Sequence, residues 1–105
     1  MVEKIQLRHP AGKHAVRMDI EKYKPIRAAI LKCLSRKNAV THAKLLELVL
    51  EYFKKKKIKF VGSVEWYMEG VKLDLEANHL IERFKEHGKQ QFKLPGDDES
   101  LLNIF

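Results

Sequence analysis

The segment "THAKLLELVLEYFKKKK", residues 41 to 57, repeats apolar residues at helical spacing, but its apolar arc is too wide for a helix facing a single core. At 100° per residue, Leu45, Leu48, Val49 and Tyr52, joined by Leu46, Leu50 and Phe53, spread over about 200°, whereas a surface helix needs a stripe of about 100° or somewhat more. Such a segment must be covered from more than one side. Neighbouring helices account for part of the arc. The surplus, Leu46, Leu50 and Phe53, implies a further cover, either the tail residues Leu101, Leu102, Ile104 and Phe105 or a second copy of the chain in an isologous dimer.

Two more helical segments flank this one. Upstream, Asp19 is an N-cap candidate, and Tyr23, Ile26, Ile30, Cys33 and Leu34 recur at helical spacing to about Arg36. Pro25 disfavours helix at Lys24, so regular helix is expected to start near Pro25 after a looser turn. Downstream, Ser63 caps a third helix that ends near Asn78, with Val64, Tyr67 or Met68, Val71 and Leu75 facing inward. Thr41 caps the middle one.

Strand signals stand at both ends. "KIQLR" (4 to 8) and "HAVRM" (14 to 18) alternate polar and apolar around the turn-forming "HPAGK", which predicts a β-hairpin. Two strands alone are marginal, so this hairpin must lie on the helices. "LIERF" and "QFKL" flank "KEHGKQ", whose Gly88 suits a positive φ, and predict a second hairpin. The expected organisation is one α+β domain over residues 1 to 96: a hairpin (1 to 18), three helices (19 to 78) and a closing hairpin (80 to 95). An acidic and apolar tail follows at 97 to 105.

Three helices running through "LDLEANHLIER" into a hairpin resemble the winged helix-turn-helix superfamily over residues 19 to 95. Leu75, Leu80 and Ile81 carry the most specific part of the likeness. Asn78 and His79 stand where that family often has Gly, a place Asn tolerates because it adopts the left-handed conformation. With the added N-terminal hairpin and "GSVEWYMEGVKLDLE", the chain looks like a group of small uncharacterised bacterial winged-helix proteins. The resemblance implies a third helix in the major groove of double-stranded DNA and a wing on the backbone or minor groove.

Charge both supports and opposes that mode. Residues 1 to 59 hold 16 Lys and Arg against 5 acids, so positive charge concentrates in the N-terminal half of a chain with net charge +7. The third helix, however, carries Glu65, Glu69, Asp74 and Glu76 against Lys72, a net −3 that repels phosphates. Those acids are expected on a solvent face. Attraction must come from the turn before it, where Lys54, Lys55, Lys56, Lys57 and Lys59 precede Ser63, Trp66 and Tyr67, and from Lys85 and Lys89 of the wing. The bland alternative is a solvated basic face that complements the helix dipole. For Trp66, packing beneath the N-terminal hairpin is favoured over an exposed patch with Tyr67.

Other chemistries find little support in the sequence. Cys33, the single cysteine, lies among apolar residues and reads as a small buried hydrophobe. No two of the five histidines have metalloprotease spacing, and no nucleophile elbow or phosphate-cradling glycine loop occurs. No enzyme, metal, cofactor or small-molecule ligand is therefore expected. Without an export signal or an apolar run of membrane-spanning length, a cytoplasmic protein is expected, with DNA, a second copy or another protein as partner.

Overall fold

The computed structural model describes residues 3–96; the tail residues Leu101, Leu102, Ile104 and Phe105 lie outside them. The fold is α+β, in the order β1 (Lys4–Gln6), β2 (Arg17–Asp19), α1 (Ile20–Cys33), β3 (Val40–Thr41), α2 (His42–Lys55), α3 (Val64–Ala77), β4 (Glu82–Glu86) and β5 (Lys89–Lys93). β1 and β2 form one antiparallel sheet, and β3, β5 and β4, in that order, form another.

Local chemistry sets the helix starts. Thr41 Oγ1 accepts from the Lys44 N–H at 3.3 Å and Ser63 Oγ from the Trp66 N–H at 3.2 Å, each satisfying an orphan donor of the first turn. α1 begins at Ile20, five residues before the start expected at Pro25, and accommodates Pro25 inside its second turn. The ring removes one donor there, but β2 runs straight into the helix and the Ile20 N–H donates to Glu3 O at 2.9 Å, which fixes the entry. α3 ends in a Schellman motif: the His79 N–H donates to Glu76 O and the Leu80 N–H to Leu75 O. The left-handed residue is His79, with φ 60°, and not Asn78, whose side chain instead donates to Asp74 O at 2.9 Å.

Ile26, Ala29 and Ile30 of α1, Leu45, Val49 and Phe53 of α2, and Met68, Val71 and Leu75 of α3 form the core, which Ile81 and Phe92 close from the sheet side. The wide apolar arc of α2 is thereby partly explained. Phe53, expected to be surplus, is 5% exposed and stacks on Phe60 at 5.6 Å, because the loop after α2 folds back over it. Leu46 is partly buried and Leu50 remains 47% exposed.

The closing hairpin pairs Glu82↔Lys93 through Glu86↔Lys89 around His87 and Gly88, both at positive φ as a tight two-residue hairpin turn requires. Its return strand also pairs with β3, Val40↔Phe92 and Thr41↔Gln91, a two-residue strand too short to leave a periodic signal.

The N-terminal hairpin, in register Ile5↔Met18, buries Leu7 and Met18 against α3. Gly70 permits the approach: a Cβ there would stand 3.2 Å from Val16 Cγ2, 3.3 Å from Met18 Cε and 3.4 Å from Leu7 Cδ1. Gly70→Ala should stay within about 1 kcal/mol of wild type, since helix propensity offsets a small shift of flexible side-chain ends. Gly70→Leu should lose about 2 kcal/mol or more in denaturant unfolding by overpacking the contact. A Gly70→Leu protein as stable as wild type would mean that the hairpin does not rest there.

Candidate nucleic-acid interface

The elbow between α2 and α3 grows out of the way α2 stops. Lys56 caps the helix, the Lys57 N–H donates to Lys54 O at 3.2 Å and the Ile58 N–H to Phe53 O at 2.9 Å, a second Schellman motif. Lys57 holds the left-handed position, at φ 57°, where glycine avoids a cost of about 1 kcal/mol. Partly buried Ile58 and Phe60 then anchor the loop, while Lys54, Lys55, Lys56, Lys57 and Lys59 are all exposed. Among the described residues none of these five ammonium groups meets a carboxylate within ion-pair distance.

An aromatic chain runs from the core to the surface beside them. Phe60 stacks on Phe53, Tyr67 meets Phe60 edge to face at 5.3 Å, and Trp66 meets Tyr67 edge to face at 4.9 Å. Trp66 is 54% exposed, contrary to the expected core position, because Gly70, one turn on, takes the place beneath the hairpin. Val61 is 76% exposed. Lys22 of α1 donates to Val61 O and sits 4.6 Å from the Phe60 ring centroid, adding a cation at the edge of the elbow. No motif or spacing marks Lys22 in the sequence, where it lies 39 residues from its partner. The Ser63 hydroxyl is engaged as the α3 cap.

The acids of α3 do not form the expected solvent face. Asp74 is 3% exposed; its Oδ1 accepts from the Arg8 N–H and its Oδ2 from the Tyr23 hydroxyl, both at 2.8 Å. Glu76 is nearly buried and its Oε1 accepts from Arg83 Nε at 2.8 Å; burial pushes its carboxyl above the usual range, and Arg83 pulls it back. Its Oε2 has no hydrogen-bond partner among the described residues. Only Glu65 and Glu69 are exposed, and both turn to His42, with Glu65 Oε2 3.0 Å from Nε2 and Glu69 Oε1 3.0 Å from Nδ1. The Lys72 Nζ also lies 2.8 Å from His42 Nδ1 and 3.3 Å from Glu69 Oε1. Lys72 is itself buried over the Phe92 ring, and that burial lowers its ammonium pKa, against the pull of Glu69. With the core on one side, the N-terminal hairpin on another and the sheet on a third, α3 exposes only Glu65, Trp66 and Glu69.

The elbow loop, in which Lys59 precedes Phe60, thus packs through Phe60 on Tyr67, which in turn meets Trp66. Lys85 and Lys89, both exposed, belong to the sheet, which the β3–β5 pairing ties to the start of α2. The elbow follows the other end of that 14-residue helix, about 20 Å along its axis.

An open cleft of about 290 Å³, lined by Arg8, His9, Glu76 and His79 among others, separates the first hairpin turn from the end of α3. Among the described residues no group of three or more His, Cys, Asp or Glu is placed to hold a metal ion, and no helix is long and apolar enough to cross a membrane. Cys33 is partly buried, and burial, then Glu51, pushes its thiol pKa up.

Residues 4–92 match a family of unknown function, DUF6958, and the chain belongs to that family. No curated protein and no solved structure matches it.

Proposed function

We propose that this DUF6958 chain is a winged-helix nucleic-acid-binding protein of the cytoplasm, a small regulator that holds the phosphate backbone at its elbow with weak sequence specificity. The order β3-β5-β4, with β3 between α1 and α2, supports the winged-helix reading, since three helices and a wing share one small sheet. The observation that carries the function is the run of five exposed lysines, 54 to 57 and 59, without an acidic partner among the described residues. Dipole complementation covers Lys54 and Lys55 in the last turn of α2, but its reach ends there, and Lys57 and Lys59 lie beyond it. The strained backbone at Lys57 retains a cation where glycine would be easier.

The repulsion expected from α3 is reduced, because Asp74 is buried, Glu76 is nearly so and pairs with Arg83, and Glu65 and Glu69 lie against His42. The same packing leaves little of α3 free for a groove, which favours backbone contact over base reading. Lys85 and Lys89 supply a secondary contact. The test is the salt dependence of binding with and without the elbow charges.

A second reading, contact with a second copy or another protein, is favoured by Leu50, whose side chain stands exposed on α2 beside Leu46. Under it, wild type sediments as a dimer and Leu50→Glu as a monomer; a wild type that stays monomeric at high concentration removes the homodimer.

A further inference from the structure

We infer that the elbow takes unpaired rather than duplex nucleic acid, with a base stacking on Trp66 while the lysines hold the adjoining phosphates. The inference rests on the nucleic-acid reading of the elbow and names the form of ligand that site accepts.

Three observations lead to it. Trp66 leaves more than half its surface in solvent at the end of a chain of ring contacts that begins in the core at Phe53. Each ring restrains the next, so the indole is already oriented and little side-chain freedom is lost when a base lies on it. Gly62, at φ 112°, lets the loop close over Tyr67: a Cβ there would stand 3.2 Å from Tyr67 Cε2.

Second, cations adjoin the aromatic chain that ends at Trp66: Lys59 precedes Phe60, and Lys22 lies 4.6 Å from the Phe60 centroid and 5.9 Å from that of Tyr67. Lys57 also belongs to the elbow, whereas Glu65 and Glu69 neighbour Trp66 along α3 and are drawn to His42. A polyanion is therefore drawn to the elbow, beside the aromatic cluster. An exposed aromatic ring beside a basic track is how proteins hold single strands, since every unpaired base offers a π-face.

Third, the duplex has less to gain here. Its base faces are stacked away from Trp66, and the base edges in its major groove need a free helix to read them. α3 is clad by the N-terminal hairpin at Gly70 and by the Asp74 contacts to Arg8 and Tyr23. A duplex engages the lysines alone.

Trp66 is the only tryptophan, so its fluorescence reports on this contact directly. The probes are a labelled oligothymidylate of about 15 nucleotides, near single-strand site sizes, and a blunt GC-capped duplex of equal length at equal low salt. The expected result is tighter binding of the single strand by about tenfold, with quenching of Trp66. Trp66→Ala should weaken the single strand by about fivefold to a hundredfold while leaving the duplex unchanged, and Trp66→Phe should recover most of the loss. The side chain is largely exposed, so thermal unfolding of the variants should match wild type; if Trp66→Ala is destabilised, the Trp66→Phe comparison carries the test. Equal affinity for both probes, with Trp66→Ala affecting neither, overturns the inference and leaves the elbow reading standing. Binding of neither probe overturns both.

Discussion

Changing Lys54, Lys55, Lys56 and Lys57 together to glutamine should lower nucleic-acid affinity on the order of a hundredfold or more at about 50 mM salt. It should also flatten the dependence of log K on log salt by about 0.7 to 0.9 for every phosphate that is no longer neutralised. Glutamine has nearly the helix propensity of lysine, so Lys54 and Lys55 can be changed at the end of α2 without weakening it through propensity. The dipole contribution removed is at most about 1 kcal/mol per charge and less at exposed sites. None of the four ammonium groups has an ion-pair partner among the described residues, so no internal pair is broken. Weaker binding with an unchanged unfolding midpoint therefore isolates electrostatics. Lys57→Gly is the useful companion: it relieves the left-handed backbone, raising stability by about 1 kcal/mol, while removing one charge from the elbow. Stability and binding should move in opposite directions in that variant. A salt slope unchanged in the fourfold variant would return the lysine run to a solvated surface.

The features legible in the sequence were those governed by near neighbours. The Thr41 and Ser63 caps act on amides three residues away, and both are found as read. The helices and both hairpins follow from periodicity. What the sequence hid depends on pairs far apart along the chain. β3 is two residues long and exists because Phe92 and Gln91 lie beside it. The burial of Asp74 depends on Arg8 and Tyr23, 66 and 51 residues away, so an acid on a helix that reads as surface becomes a structural post. Lys72 looked like the lone cation among those acids, yet it is buried against Phe92. Phe53 is buried because the elbow folds back over α2 at Phe60, a contact that no helical wheel contains, and Trp66 is exposed because the N-terminal hairpin rests on Gly70 instead. The lysines of the candidate site were plain in the sequence; their lack of acidic partners among the described residues was not.

Asp74→Ala should be the most damaging of these single substitutions, at roughly 3 kcal/mol or more of folding stability. One carboxylate joins three elements: the N-terminal hairpin through the Arg8 N–H, α1 through the Tyr23 hydroxyl, and α3, which carries it. Removing it leaves two donors without partners at a site that is 3% exposed, and each such group costs about 1–3 kcal/mol. For a domain of this size that destabilisation lowers Tm by roughly 15 °C. Asp74→Asn should cost about half as much: its carbonyl serves the Arg8 N–H, and the Tyr23 hydroxyl can turn to accept from the new amide. Tyr23→Phe leaves Oδ2 alone and should fall in the same range. Burial first, then the Asp74 carboxylate, pushes the Tyr23 phenol up to about 12. A folded-state pKa above the ordinary value of about 10 means that the folded chain keeps this proton longer than the unfolded chain. The stability it supplies is thus complete below that ordinary value and disappears as pH climbs towards 12. Tyr23 is partly solvated, so screening reduces the effect below what the shift alone would give. Lysines titrate in the same window, so the quantity to measure is the difference between wild type and Tyr23→Phe in denaturant midpoint. That difference should shrink as pH rises through the window; a constant difference would mean that the hydroxyl does not hold the Asp74 carboxylate.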